Sequence, residues 1–434
     1  EALLSRFNVD YQKAREVYAT EYVARKIGGA AYEAESGEYR DYIAYRYPRA
    51  QFWDLDISLH PLVDAERAET LRRAGRAWRY LGIGVNNWAG APGSPGALDG
   101  QDRTRQAALD LRQPAMAWIG GPQEDFSLKD HNFYAGETVE KTVLGIYDRH
   151  GAAKWQVRWQ LKQRQTGSVV QSGEMTRNVS PFSRVRQPFR FQVPGVAEPT
   201  DFVLALDVRE EGSGRAVAED AFDLTVYPRP QQAPGPKPFF VFDPRGDTAA
   251  WLEEMGVATR RWEAGSAAPG RVLVVGREAL RGLKGLPYTA EEVESGLRVV
   301  VFEQHCRDLG NIGFRHEDRS PRQVFVRREE HPLAEGLNPE ALRDWRGHAT
   351  LISPGPEGDR TAVSRRFYRA GNRGSVASAI IETPHFGPFE TVLDCEFDLS
   401  YTPLMRWRHG RGEIVFSQLD LVDRIGREPA ADRV

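Results

Sequence analysis

The stretch that most limits what this chain can fold into is Trp155-Gln156-Val157-Arg158-Trp159-Gln160-Leu161. Large apolar residues alternate with polar ones at a period of two. That is the pattern of a strand with one buried face and one wet face. A sheet that buries indoles on one face needs a second layer to bury them against. The alternation returns in Phe202, Leu204 and Leu206, and again in Phe222, Leu224 and Val226. Gly136, Gly151, Gly167 and Gly212-Ser213-Gly214 supply turns between such runs. Residues 114–228 are therefore expected to form an antiparallel sandwich of immunoglobulin-like size, with about seven strands.

The sandwich pattern stops at Pro228-Arg229-Pro230-Gln231-Gln232-Ala233-Pro234-Gly235-Pro236, where four prolines stiffen the chain and prevent strand pairing. Residues 229–237 read as a linker. Beyond it, Phe239–Phe242, Arg271–Val275 and Arg298–Phe302 are short apolar strands, and Asp247–Met255 is a helix with Gly256 just past its end. Strands alternating with helices predict an open parallel sheet with helices on both faces, a flavodoxin-like α/β domain over 238–434. Ile414–Gln418 is a further strand in its irregular last hundred residues.

Residues 1–113 also alternate. Helices are expected over Tyr11–Ala31 and Asp64–Tyr80, the second ended by Gly82, and strands over Gln51–Ile57 and Ile83–Trp88. The loop Ala89–Gly100 is rich in Gly and Pro. This region reads as the end of a β/α barrel. A whole barrel takes about 250 residues, more than twice what precedes the sandwich. The chain opens on Glu1 and stops at Val434 without a visible signal peptide, so it reads as a segment of a longer protein.

Composition narrows the function classes. Lys plus Arg total 58 against 61 acidic residues, a net charge of −3, which excludes a generally basic nucleic-acid binder. No apolar run is long enough to span a bilayer. Cys306 and Cys395 are the only cysteines, too few for a disulfide framework.

Few motifs carry chemistry. Asp54 and Asp56 sit on a predicted strand end, followed by His60, where barrel enzymes hold their acid and base groups. The alternative is that both carboxylates cap helices or pair with Arg49 and Arg67. Trp53 and Trp88 flank strand ends where an indole can stack on a sugar face, or pack a core. Cys306 follows an apolar strand with Glu303 and His305 beside it, the setting of a strand-to-helix nucleophile turn. Its flanks are His305 and Arg307 rather than the small residues such a turn needs, so Cys306 reads as a structural thiol. Asn178-Val179-Ser180 is a glycosylation sequon. No pair of histidines has zinc spacing, and no cofactor is expected.

Several stretches resemble the beta-galactosidase-like bacterial glycoside hydrolases related to family 2. Residues 126–138 (Phe126-Ser127-Leu128-Lys129-Asp130-His131-Asn132-Phe133-Tyr134 onward) look like the entry to the sandwich that follows the barrel in that group. Residues 71–83 look like the last helix and strand of the barrel. Leu342–Gly347, Ala370–Ser378 and Phe416-Ser417-Gln418-Leu419-Asp420 resemble the amidotransferase-like domain found late in the same proteins. The resemblance implies a secreted or periplasmic enzyme that cleaves a glycan with a pair of glutamates. Residues 1–100 hold no Asn-Glu pair at a strand end, so those glutamates are expected upstream of Glu1, unless this lineage has lost them. The segment would then be mostly structural, with a non-catalytic α/β domain. Expected partners are a carbohydrate and either further copies of the chain or the missing barrel. The rival reading is a non-enzymatic glycan-binding or assembly protein built from the same domains.

Overall fold

The computed structural model describes residues 61–82, 102–126, 128–229, 238–263, 270–283, 285–338, 340–347, 351, 374–384, 389–395, 401–422 and 424–434. These residues are β-rich, with eighteen strands in three sheets and five α-helices. No described helix is long and apolar enough to cross a membrane. The described residues divide into two compact units, one ending at Arg229 and one lying within 238–434.

The first unit is a two-layer sandwich. One sheet has the order β2 (Asn132–Tyr134), β8 (Ala216–Tyr227), β7 (Thr200–Glu210), β4 (Ala153–Gln163), β5 (Val169–Val179). The other has the order β1 (Ala115–Gly120), β3 (Thr138–Tyr147), β6 (Ser183–Gln192). The period-two residues of β4, β7 and β8 point inward and meet Val139, Val143, Val185, Phe189 and Phe191 of the opposite sheet. Glycines make room for the two indoles. A Cβ on Gly145 would lie 2.6 Å from Trp155 Cζ3, and one on Gly173 would lie 2.6 Å from Trp159 Cε2. Trp159 also stacks on Phe189, with ring centroids 5.3 Å apart. One charge is buried here: Lys141, 1% exposed, donates to the Asp130 carbonyl at 3.0 Å and sets its ammonium 4.0 Å from the Phe222 ring centre. The aromatic face and the carbonyl offset the cost of taking that ammonium out of water.

Strand β1 is buried at every position, which its unbroken apolar sequence requires. The cover on its outer face is helical. Helix α1 (Pro61–Tyr80) ends at Gly82, whose φ of 82° suits the left-handed cap. It packs against α2 (Asp102–Asp110) through Ala68, Leu71, Ala107 and Ala108. The approach is close enough that a Cβ on Gly75 would lie 2.3 Å from Leu111 Cδ1. Tyr80 meets Trp118 edge-on at 6.0 Å, above Met116, Leu144 and Ile146. Arg79 donates to Asp148 at 2.8 Å and to the Leu111 carbonyl at 2.6 Å, and Arg76 donates to Asp220 at 3.0 Å. The sequence places α1 as a barrel helix; its observed neighbour is the three-stranded sheet. The strands expected over 51–57 and 83–88, and the helix over 11–31, lie outside the described residues.

The second unit is built on one mixed sheet of ten strands. Its parallel half runs β10 (Thr259–Arg261), β9 (Phe239–Phe242), β11 (Val272–Val275), β12 (Arg298–Val301), β18 (Gly412–Ser417). The antiparallel half continues from β18 through β17 (Tyr401–His409) to β15 (Ile380–Glu382) and β13 (His316–Glu317). Strand β16 (Phe389–Cys395) branches from β17 and pairs with β14 (Val324–Val326). Helices α3 (Asp247–Glu254), α4 (Ala290–Glu294) and α5 (Cys306–Asn311) are short. One core contains Leu273, Val275, Val299, Phe416 and Trp407; another contains Trp345, Leu342, Val392, Leu393 and Leu419. The strands expected over 239–242, 271–275, 298–302 and 414–418 and the helix expected over 247–255 correspond to β9, β11, β12, β18 and α3, with ends shifted by up to two residues. The antiparallel half does not follow from the sequence reading, because β13, β14 and β15 have three residues or fewer and the β16–β17 pairing is bulged.

Truncating a buried aromatic costs about 3–5 kcal/mol. Trp155→Ala and Trp159→Ala should each destabilise the sandwich by that amount in urea unfolding. Glu174→Ala, which removes a half-exposed partner of Arg158, should cost under about 0.5 kcal/mol. A tryptophan effect below about 1 kcal/mol would contradict the inward placement.

Candidate functional site

Parallel sheets present their chemistry beyond the carboxyl ends of the strands. Here β9, β11, β12 and β18 lie side by side and end at Phe242, Val275, Val301 and Ser417. The residues that follow them make one continuous polar network.

After β9, Asp243 turns its carboxylate onto the first turn of α3. Its Oδ2 accepts from the Thr248 and Ala249 amides at 2.7 and 3.0 Å. Those are the amides that a bound anion would use at this helix start. Thr248 in turn accepts from the Arg277 amide at 2.8 Å. After β11, Glu278 adopts a left-handed φ of 53°, uncommon for a residue with a side chain. Its nearly buried carboxylate accepts from Arg245, from His305 Nε2 at 2.6 Å and from Arg281 at 3.4 Å.

After β12 come Glu303 and Gln304, both fully buried. The Gln304 amide donates to Gln418 Oε1 at 3.0 Å, and its side chain donates to the Gly276 and Phe302 carbonyls at 2.8 and 2.7 Å. Gln304 Oε1 accepts from the Leu280 amide at 3.0 Å. Glu303 Oε1 accepts from the Leu421 and Val422 amides at 2.6 and 3.2 Å. Burial, and then the charge of Asp420, push the Glu303 carboxyl up to about 8, so it holds a proton at neutral pH. Since Oε1 takes two N–H donors, the proton belongs on Oε2. Asp420, also fully buried, accepts from Ser378 at 2.5 Å and from Ser375 at 3.4 Å, with Arg424 at 3.7 Å.

Cys306 opens α5, directly after this strand end, so the structure gives it the strand-to-helix position read from the sequence. It is a partly buried thiol without a disulfide, packed against the core, and Cys395 is likewise unbridged. A nucleophilic thiol needs a base aimed at it and donors for an oxyanion. His305 bonds Glu278 through Nε2, and the Thr248, Ala249, Leu421 and Val422 amides are taken by the chain's own carboxyl groups. These four amides are satisfied from within.

Asp54, Asp56, Trp53, His60 and Trp88, the site residues chosen from sequence, all lie outside the described residues. Sequence reading noted Glu303 and His305 beside Cys306 and singled out 416–420, but missed Glu278, whose role depends on an unusual backbone angle. It also missed a second cluster. His331 Nδ1 accepts from the Leu333 amide at 3.1 Å, so Nε2 carries the proton and donates to Glu390 at 3.1 Å. Arg406 Nε donates to the same Glu390 oxygen, Oε2, at 2.7 Å. Burial lowers the His331 pKa. Beside His331 is a groove of ≈ 620 Å³, whose walls include Glu329, Glu330 and Glu335. Among the described residues, no group of three or more His, Cys, Asp or Glu side chains is placed to hold a metal ion.

Glu303 makes stability depend on pH. Unfolded, its carboxyl ionises near 4.5; folded, near 8. The folded chain binds the extra proton between those values, so its contribution is complete below about pH 4.5 and is lost as pH rises through about 8. Glu303→Gln keeps the acceptor and removes the titration. It should shrink the stability loss between about pH 5 and pH 9 by on the order of 1–4 kcal/mol in urea melts. Identical losses in both proteins would contradict a protonated Glu303.

No protein-family model matches this sequence, and no curated protein matches it. Solved structures that align with parts of it include the CARDB domain of the PF1109 protein from Pyrococcus furiosus, at 14% identity and a TM-score of 0.20, over 26% of this chain and 91% of that one. The sporulation control protein Spo0M from Bacillus subtilis aligns at 13% identity and a TM-score of 0.19, over 28% of this chain and 51% of that one. A family 123 glycoside hydrolase from Clostridium perfringens aligns at 10% identity and a TM-score of 0.20, over 32% of each chain. At such scores these likenesses assign neither a family nor an activity.

Proposed function

We propose that this chain is the C-terminal part of a large, secreted or periplasmic bacterial protein of the beta-galactosidase-like group. In this reading its immunoglobulin-like sandwich braces the protein, and its amidotransferase-like α/β unit packs without catalysing a step. The observation that supports a structural α/β unit most directly is the occupied sheet edge. Asp243 bonds the Thr248 and Ala249 amides and Glu303 bonds the Leu421 and Val422 amides, so these four donors are already taken. Glycoside cleavage in that group uses two carboxyl groups, one as acid and base and one as nucleophile. In this proposal they belong to a barrel preceding this chain. Asp54 and Asp56 are the candidates inside it, with Trp53, Trp88 and His60 as sugar contacts, and no cofactor is required.

The docking of α1 on the sandwich favours a second reading. Arg76, Arg79 and Tyr80 make α1 a cap on the three-stranded sheet. A chain in which these helices serve the sandwich suits a non-enzymatic glycan-binding or assembly protein.

Aryl glycosides and glutamine separate these readings. The chain from Glu1 to Val434 should release no aryl alcohol above the buffer rate, and a longer gene product carrying a barrel should. Cys306→Ala should leave that longer protein within about threefold of wild type. Glutamine hydrolysis that disappears in Cys306→Ala would overturn the structural reading of the α/β unit. Glycoside hydrolysis by the chain alone, lost in Asp54→Asn, would move catalysis to the Asp54–Asp56 pair. An inactive longer protein would favour the assembly reading.

A further inference from the structure

A groove of ≈ 540 Å³ opens on the sandwich between the loop after β1 and strands β3 and β6. Glu140 and Arg190 stand opposite each other in the β3–β6 register, so their side chains share one face. The Gln123 amide donates to Glu140 Oε1 at 3.0 Å, and Arg190 Nε donates to Oε2 at 2.7 Å. Arg190 Nη2 lies 2.6 Å from the same oxygen. The amide first and the guanidinium second hold the Glu140 carboxyl below its ordinary range. Pro122 and Pro188 give the groove apolar walls, while the Phe189 ring turns inward onto Trp159.

Three features select a ligand class. The carboxylate and guanidinium are already paired, so a strongly charged ligand would have to compete with one of them. A planar carboxylate beside a guanidinium instead offers adjacent acceptors and donors, which is what neighbouring hydroxyl groups need. Arg190 uses Nε and Nη2 on Glu140, which leaves Nη1 for a further acceptor. The proline walls suit the C–H face of a ring. The volume falls within the range of small-molecule pockets, about 300–1,000 Å³.

We propose that this groove is a carbohydrate-binding subsite of the sandwich, holding one or two neutral sugar units through Glu140 and Arg190. The choice of a carbohydrate rests on the glycan-directed reading above, while the site itself rests on this geometry. The subsite would retain a glycan on the bracing domain, apart from any cleavage step.

The test is ligand-observed saturation-transfer NMR on the full chain, with lactose and cellobiose as probes. At least one disaccharide should show saturable binding in the millimolar range, weakened tenfold or more in Arg190→Ala. Arg190 has a side chain 73% exposed, so this variant should keep its fold, and an unchanged thermal melt would verify that. Glu140→Gln, which retains an acceptor for the Gln123 amide, should weaken binding as well, and Arg158→Ala should not. Absence of saturable transfer from both disaccharides up to about 50 mM would overturn the proposal. So would binding that survives both groove variants. Hydrolysis by the longer protein is measured separately, so a silent groove beside active hydrolysis defeats only the subsite, and binding without hydrolysis defeats only the enzyme.

Discussion

Backbone amides at the open end of a parallel sheet have to be bonded by something, and in this chain its own carboxyl groups bond them. Asp243 closes the first turn of α3, and Glu303 closes the turn after β18. A carboxyl group supplied by the fold costs no association entropy, unlike a ligand that must be captured from solution. Those four amides therefore need no ligand. Gln304 and Gln418 extend this logic, each tying one strand end to the next.

The sandwich depends on a different constraint, the fit of two indoles into a two-layer core. Trp155 and Trp159 fill space that glycine leaves at Gly145 and Gly173. The outer face of its smaller sheet is apolar too, and α1 covers it with Tyr80 while Arg76 and Arg79 anchor to Asp220 and Asp148. A strand buried on both faces, such as β1, requires that cover.

The legible parts of the sequence were those with a local signal. The alternation from Trp155 to Leu161 marks β4, and the apolar runs at 239–242 and 298–301 mark parallel strands. Gly82 and Gly256 mark helix ends. What was not legible depends on contacts distant in sequence. Lys141 lies in a strand where a charge predicts a wet face, yet Phe222 and the Asp130 carbonyl make it a core residue. The pairing of Gly145 with Trp155 is invisible until β3 and β4 face each other. Of the candidate site, the position of Cys306 could be read from its strand-to-helix setting. The link from His305 to Glu278 could not, because it needs a left-handed residue on the neighbouring strand's loop. The carboxylates chosen from sequence, Asp54 and Asp56, lie outside the described residues.

The claim that the sheet edge is closed from within is tested most directly by amide hydrogen exchange at Thr248, Ala249, Leu421 and Val422. Bonded to Asp243 and Glu303, these four amides should exchange as slowly as amides inside the sheet, such as those of Val299 and Val415. Their protection should not change when phosphate or glutamine is added. Exchange as fast as in exposed turns, or protection that appears only with an added anion, would show an open site and contradict the account.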